Sequence, residues 1–154
     1  MVIHLATDHA GFEHKQAVAA WLEHEGMAVV DHGSYVYEAD DDFPDFISQA
    51  ALAVSRNPQT ECAIIFGGSG TGEAIMANRF AHVRAVVLYA DLPEIITLSR
   101  EHNNSNVLSI GARFVSVDIA KKHIWEWLHK NTVLEEKYQR RNQKIETITK
   151  SFYS

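Results

Sequence analysis

Apolar positions in this chain fall into short β-branched runs, and these alternate with stretches of helical period. Val2 to Thr7 reads as a strand. Phe12, Val18, Trp21 and Leu22 fall on one face of a helix that ends near Gly26, and Ala28 to Asp31 reads as a second strand. An acidic loop, Glu38 to Asp42, leads into a helix from about Pro44 to Arg56 with Phe46, Ala50, Leu52 and Ala53 facing inward. Cys62 to Phe66 is the third strand, with a helix from Glu73 to about Phe80. Val83 to Leu88 is the fourth, followed by a helix from Leu92 to about Glu101. Val107 to Ile110 is the fifth, and Ile119, Ile124, Trp127 and Leu128 mark the last helix of the layered body. Five strands alternating with helices predict an α/β fold: a three-layer α/β/α sandwich on a parallel, Rossmann-like sheet with right-handed crossovers. No repeat or linker divides the chain, so residues 1–154 read as one domain.

The tail adds a further helical pattern. From Leu134 to Phe152 the apolar residues Leu134, Tyr138, Ile145, Ile148 and Phe152 recur at spacings of three, four and seven, with Lys137, Arg140, Arg141 and Lys144 beside the stripe. Two readings stay open. One is a solvated helix carrying acid–base pairs such as Glu136 with Arg140. The other is a helix docked on a partner subunit, offering its cations to a phosphate.

Composition narrows the function classes. At 46% hydrophobic and 22% charged residues the chain can bury a sizeable core. A net charge of −6 argues against a nucleic-acid partner, so an anionic substrate needs a local cluster of cations. No apolar run approaches the roughly 20 residues of a membrane span, and the opening Met1-Val2-Ile3-His4-Leu5 lacks the pattern of a signal peptide. The single cysteine, Cys62, sits in an apolar strand, which excludes a disulfide scaffold and points to a reducing cytoplasm.

The candidate chemistry centres on the loop Gly67-Gly68-Ser69-Gly70-Thr71-Gly72-Glu73. A glycine-rich turn between strand and helix lets backbone N–H groups converge on an anion. No Lys follows, so this is not a P-loop, and a dinucleotide fingerprint would want glycine where Glu73 stands. A carboxylate there suits a small anion that forms during a reaction, with Glu73 as the base. It is equally compatible with a tight turn whose first-turn acid matches the helix dipole. Ligands in such sheets bind at the carboxyl ends of strands. Asp8-His9-Ala10-Gly11 and Glu101-His102-Asn103-Asn104 follow strands or their helices, which predicts that His9 and His102 converge with Glu73 at that edge.

Taken with Ala77-Asn78-Arg79, Gly111-Ala112-Arg113 and the Arg140-to-Lys144 segment, these motifs resemble ribose-5-phosphate isomerase of type B. That family also contains galactose-6-phosphate isomerase. The resemblance covers about residues 2 to 149 in the family's order. It implies aldose–ketose isomerisation through an enediol without a metal or other cofactor. Carried over by position, Asp8 and His9 hold the sugar's ring oxygens and its phosphate end. His102 opens the ring, with Asn103 beside it. Ser69, Gly70 and Gly72 surround the enediolate oxygen, with Gly68 and Thr71 in the same loop. Arg113, Arg140 and Lys144 bind phosphate, the last two from the other subunit of a homodimer or dimer of dimers. One branch of the family uses a cysteine base at the position of Gly67, and the other a glutamate at the position of Glu73; this chain follows the second. Phe43 stands where tyrosine is common and Lys144 where arginine is usual. The implied substrate is ribose 5-phosphate. The alternatives are a tetrose phosphate, galactose 6-phosphate or allose 6-phosphate, or a non-catalytic phosphate- or flavin-binding module. An interaction protein built on the tail helix is a further class. Proton transfer weighs against the binding module, because a pure anion binder gains nothing from Glu73. Burial of Glu73 against Phe66 or Ile75 would raise its pKa and strengthen it as a base, against the helix N-terminus, which lowers it.

Overall fold

The structure is a computed structural model and describes residues 1–130 and 134–150. Five parallel strands form one sheet: β1 (Val2–Thr7), β2 (Ala28–Asp31), β3 (Glu61–Gly67), β4 (Ala85–Leu88) and β5 (Val107–Gly111). Their order is β2-β1-β3-β5-β4. Leu5 pairs with Asp31 on one side and Ile64 on the other, and Ile64 pairs with Leu108. The helices are α1 (Phe12–His24), α2 (Phe43–Arg56), α3 (Thr71–Ala77), α4 (Pro93–Glu101), α5 (Val117–His129) and α6 (Glu136–Lys150), with a 3-10 turn at His9–Gly11.

Strand periodicity of two splits the core into two layers. Ile3, Leu5, Ile64, Phe66, Leu108 and Ile110 point to one face, where Val18 and Leu22 of α1, Ile96 of α4 and Ile124 and Trp127 of α5 cover them. Ala6, Ala63, Ile65 and Val107 point to the other, under Ile47, Ala50, Ala51 and Val54 of α2 and Ala77 of α3. Winding reverses between β1 and β3, so a crevice opens outside their carboxyl ends, where Asp8 and the glycine loop lie.

The fold class agrees with the strand–helix alternation, and several boundaries move. α3 starts at Thr71 and stops at Ala77, short of Phe80. The Asn78 side chain explains the stop: its Nδ2 donates to the carbonyl of Ala85 at 3.0 Å and its Oδ1 accepts from Ala85 N–H at 2.8 Å. It thereby ties the helix end to the start of β4. Val83 is buried but precedes β4. Along α2 the inward face is Ile47, Ala50, Ala51 and Val54, while Phe46, Leu52 and Ala53 are only half-buried. α1 buries Lys15 as well as Val18 and Leu22; Lys15 Nζ donates to both Asp31 oxygens at 2.6 Å and to the Ser34 carbonyl at 2.8 Å. α6 begins two residues after Leu134, and Phe152 lies outside the described residues. Among the described residues no helix is long and apolar enough to cross a membrane.

Candidate active site

Glu73 sits in the first turn of α3 with only 4% of its surface exposed. Its carboxylate lies against the Cα of Gly67, where a Cβ would overlap the Glu73 Cδ and both oxygens. A side chain at 67 and this carboxylate therefore cannot occupy the same structure. Burial pushes the Glu73 carboxyl above its ordinary value, against a smaller lowering from a backbone hydrogen bond, and Asp8 adds to the rise. Ile75 is 55% exposed and does not supply that cover.

The glycine loop is held open by its neighbours. Gly70 adopts φ +77°, a left-handed conformation that a side chain would strain. Its carbonyl accepts from the buried Ser109 hydroxyl at 2.6 Å. The Gly67 and Gly68 carbonyls accept from Ala112 and Arg113 N–H at 2.8 and 3.1 Å, which locks the loop to the segment after β5. With those two carbonyls turned to the segment after β5, the Ser69 hydroxyl stands at the rim of the loop. Ser69 is exposed, and its Oγ receives only a 3.3 Å contact from Thr71 N–H. The Arg113 guanidinium lies over Gly68. Phe43 at the start of α2 closes against Gly72.

Across the crevice, Asp8 caps the 3-10 turn by accepting from Ala10 N–H at 2.9 Å. His9 Nδ1 lies 2.7 Å from Asp41 Oδ1, and the same oxygen accepts His9 N–H at 2.9 Å. Asp41 raises the His9 pKa most, Asp8 adds to the rise, and Arg113 opposes it. Asp8, His9 and Asp41 are the one group of potential metal ligands among the described residues, with ligand atoms within 4.8 Å of one another. The short His9–Asp41 bond marks them first as a charge-paired cluster.

The structure divides the expected site residues into two sets. Asp8, His9, Gly68, Ser69, Gly70, Thr71, Gly72, Glu73 and Arg113 gather at the carboxyl edge of the sheet. The expected convergence of His102 with Glu73 at that edge is corrected. α4 leaves the carboxyl end of β4 and runs back, so His102 and Asn103 stand beside the amino ends of β4 and β5. There Arg84 Nε donates to the Asn104 carbonyl at 2.8 Å. α6 packs on this amino edge. Tyr138 stacks on His102 with ring centres 3.9 Å apart, Asn142 Nδ2 donates to the His102 carbonyl at 2.9 Å, and Glu146 pairs with His82 and Arg84. Arg140 and Lys144 project from α6 as exposed residues. Tyr138, Asn142, Glu146, Asp41, Ser109 and Gly111 are additions from the structure. Gly111 matters because a Cβ there would come within 2.7 Å of the Ser69 carbonyl. Of these, Gly111 stood in the Gly111-Ala112-Arg113 motif and Tyr138 in the tail stripe without a role of their own, and Asp41 lay in the acidic run from Glu38 to Asp42, where nothing told it from its neighbours.

A buried carboxylate beside an open glycine loop at the switch point is an arrangement that suits proton transfer on a small anion. The model of the Ribose/Galactose Isomerase family matches residues 3–145, and the chain belongs to that family. It is similar to ribose-5-phosphate isomerase B of Escherichia coli (strain K12), 38% identical over 142 residues, covering 92% of this chain and 90% of the relative. The Mycolicibacterium paratuberculosis enzyme of the same name is 41% identical over 117 residues, covering 76% of this chain and 72% of that one. Among solved structures, ribose-5-phosphate isomerase B from Mycoplasma genitalium with bound ribulose-5-phosphate superposes with a TM-score of 0.91. That structure is 32% identical and the match covers 97% of this chain and 96% of that one.

Proposed function

We propose that this chain interconverts ribose 5-phosphate and ribulose 5-phosphate, with Glu73 as the proton-transferring base. The observation that carries the reading is the Glu73 carboxylate, buried against Gly67 and raised in pKa beside the glycine loop. A weakly acidic C–H proton needs a base stronger than a solvated carboxylate, and burial supplies the increment. Glu73 takes the proton from C2 of the open-chain aldose and returns it to C1. The electron pair passes onto the C1 oxygen, where the N–H groups of the glycine loop and the Ser69 hydroxyl stabilise the enediolate; the O2 hydroxyl proton then passes to O1 as C2 becomes the carbonyl and C1 takes back its proton. His9 and Arg113 hold the anionic end of the sugar, and Asp8 binds its hydroxyls.

In this reading a site is completed by a second copy of the chain. β4 is four residues long, so the two edges of the sheet are at least about 13 Å apart. His102, Asn103, Arg140 and Lys144 therefore reach the Glu73 of a partner rather than their own. The assembly is a homodimer or a dimer of dimers in which each site draws its ring-opening histidine and two phosphate cations from across the boundary. The reading also keeps the enzyme in the cytoplasm, where the buried Cys62 thiol stays reduced.

Incubating the protein with ribose 5-phosphate in D2O tests this directly. The expected result is ribulose 5-phosphate together with solvent deuterium at the transferred position. No turnover of ribose 5-phosphate overturns the assignment. Phe43 favours one second reading, an isomerase of a different sugar phosphate, because its ring closes the floor at Gly72 without a hydroxyl. Comparing kcat/KM over tetrose, pentose and hexose phosphates separates the two.

A further inference from the structure

The acidic loop between β2 and α2 contributes a residue whose placement is unlike that of its neighbours. Glu38, Asp40 and Asp42 are exposed, whereas the Asp41 side chain keeps only 7% of its surface in water. Its Oδ1 takes two hydrogen bonds from one residue, the backbone N–H and Nδ1 of His9. Its Oδ2 is buried and has no hydrogen-bond partner. A carboxylate withdrawn from water with one oxygen unsatisfied needs a compensating charge close by. His9 Nδ1, at 2.7 Å, is the group in position to supply it.

We propose that Asp41 is a positioning residue for the isomerase reaction: it holds His9 as an imidazolium with Nδ1–H turned inward, so that Nε2–H is presented as a charged donor to the phosphate of the substrate. This rests on the reading of the crevice as a sugar-phosphate site. A carboxylate only accepts, so Nδ1 carries the proton and Nε2 is left for the ligand. The groups facing His9 are Asp41 and Asp8, which favour its charged form, Arg113, which opposes it, and the Tyr37 ring, edge-on at 6.3 Å. Without Asp41, burial and, to a lesser degree, Arg113 lower the His9 pKa with only the charge of Asp8 against them, which weakens the charged form beside Arg113. Asp41 thus allows a second positive charge next to Arg113.

Asp41→Asn retains shape and one acceptor oxygen for His9, removes the charge and sets the amide NH2 at the unpartnered Oδ2 position. Near pH 7.5 it should raise KM for ribose 5-phosphate by about tenfold, with kcat within about threefold. The ratio of variant to wild-type KM should shrink to below about twofold near pH 5.5, where His9 is protonated without help. A merely structural role would give a ratio that does not change with pH, and that result overturns the proposal. In a His9→Asn background the Asp41→Asn change should add almost nothing, and an additive effect counts against the pairing. The His9 ring can also be titrated by NMR in the wild-type protein, with and without inorganic phosphate. A His9 pKa above the ordinary imidazole value, rising further with phosphate, supports the proposal. A pKa at or below that value refutes it even if Asp41→Asn does not fold. That titration needs no turnover, so it judges Asp41 separately from whether ribose 5-phosphate is the substrate.

Discussion

The two edges of the sheet each carry a histidine that the sequence motifs single out, and the two are held in opposite ways. At the carboxyl edge, His9 is gripped through its backbone and its ring by the Asp41 carboxylate, next to a second acid, Asp8. At the amino edge, His102 is held by its carbonyl and by the flat stack of Tyr138, tilted by 20°. Among the described residues no side chain hydrogen-bonds the His102 ring nitrogens. Carboxylates fix a charge and aim one nitrogen; an aromatic stack fixes a plane and leaves both nitrogens free to exchange protons. The first arrangement suits a permanent cation for phosphate. The second suits a group that opens a sugar ring by moving a proton between oxygens. The contrast extends to covering: Glu73 is enclosed by its own chain, whereas α6 buries none of its residues and leaves Ile145 and Ile148 50% and 60% exposed.

The largest test of this division falls on Glu73. Glu73→Gln should keep substrate binding and lose at least about a hundredfold in kcat, the usual scale for a general base. A carboxylate base works only when ionised, so if Glu73 fills that role its raised pKa means that activity falls on acidification at a higher pH than for a solvated carboxylate. A kcat–pH profile with its acid limb at the ordinary glutamate value would break the link between burial and basicity.

Mixing variants tests whether the two edges belong to one site. Glu73→Gln and Arg140→Ala proteins, each nearly inactive, should regain activity when subunits exchange, because one site of each hybrid keeps both residues. Random reassortment of equal amounts into dimers makes about half the population hybrid, so recovery should approach about a quarter of wild type. No recovery after confirmed exchange would place Arg140 with the Glu73 of its own chain, or with neither.

Removing the His102 ring should be selective. His102→Asn should cut kcat/KM for cyclic ribose 5-phosphate by about tenfold or more. For a tetrose 4-phosphate, which has no free hydroxyl to close a furanose ring, the loss should be small. Equal losses on both substrates would assign His102 a structural role through Tyr138.

The smallest effect is expected at Cys62. It sits under the core at the amino end of β3, and burial pushes its thiol up to about 12. Cys62→Ala should leave kcat and KM near wild type and cost about 1 kcal/mol of stability from the lost volume, read by denaturant titration. A large loss of activity would mean that a second nucleophile or base operates in the molecule.

Much of the body was legible in the residues because its signals are local. β-branched runs, helical period and glycine placement specify strands and helices within windows of ten or so residues, and alternation of the two specifies a parallel, two-faced sheet. The glycine loop and its glutamate were readable for the same reason: backbone freedom at Gly70 and the missing Cβ at Gly67 are properties of single residues. The direction in which a helix returns the chain is also fixed by topology. Even so, the short stretch from Arg100 to Asn104 carries no mark of which edge it reaches, and only the assembled sheet puts His102 at the amino ends. Asp41 shows the same limit more sharply. Among the adjacent carboxylates of one polar loop, composition is uniform, and the one that is buried is chosen by a contact 32 residues away in sequence. Local residue chemistry therefore determined the elements, the glycine loop and the carboxylate beside it. Which charges pair, and which half of the site stands opposite which, depended on long-range contacts whose partners no short window contains.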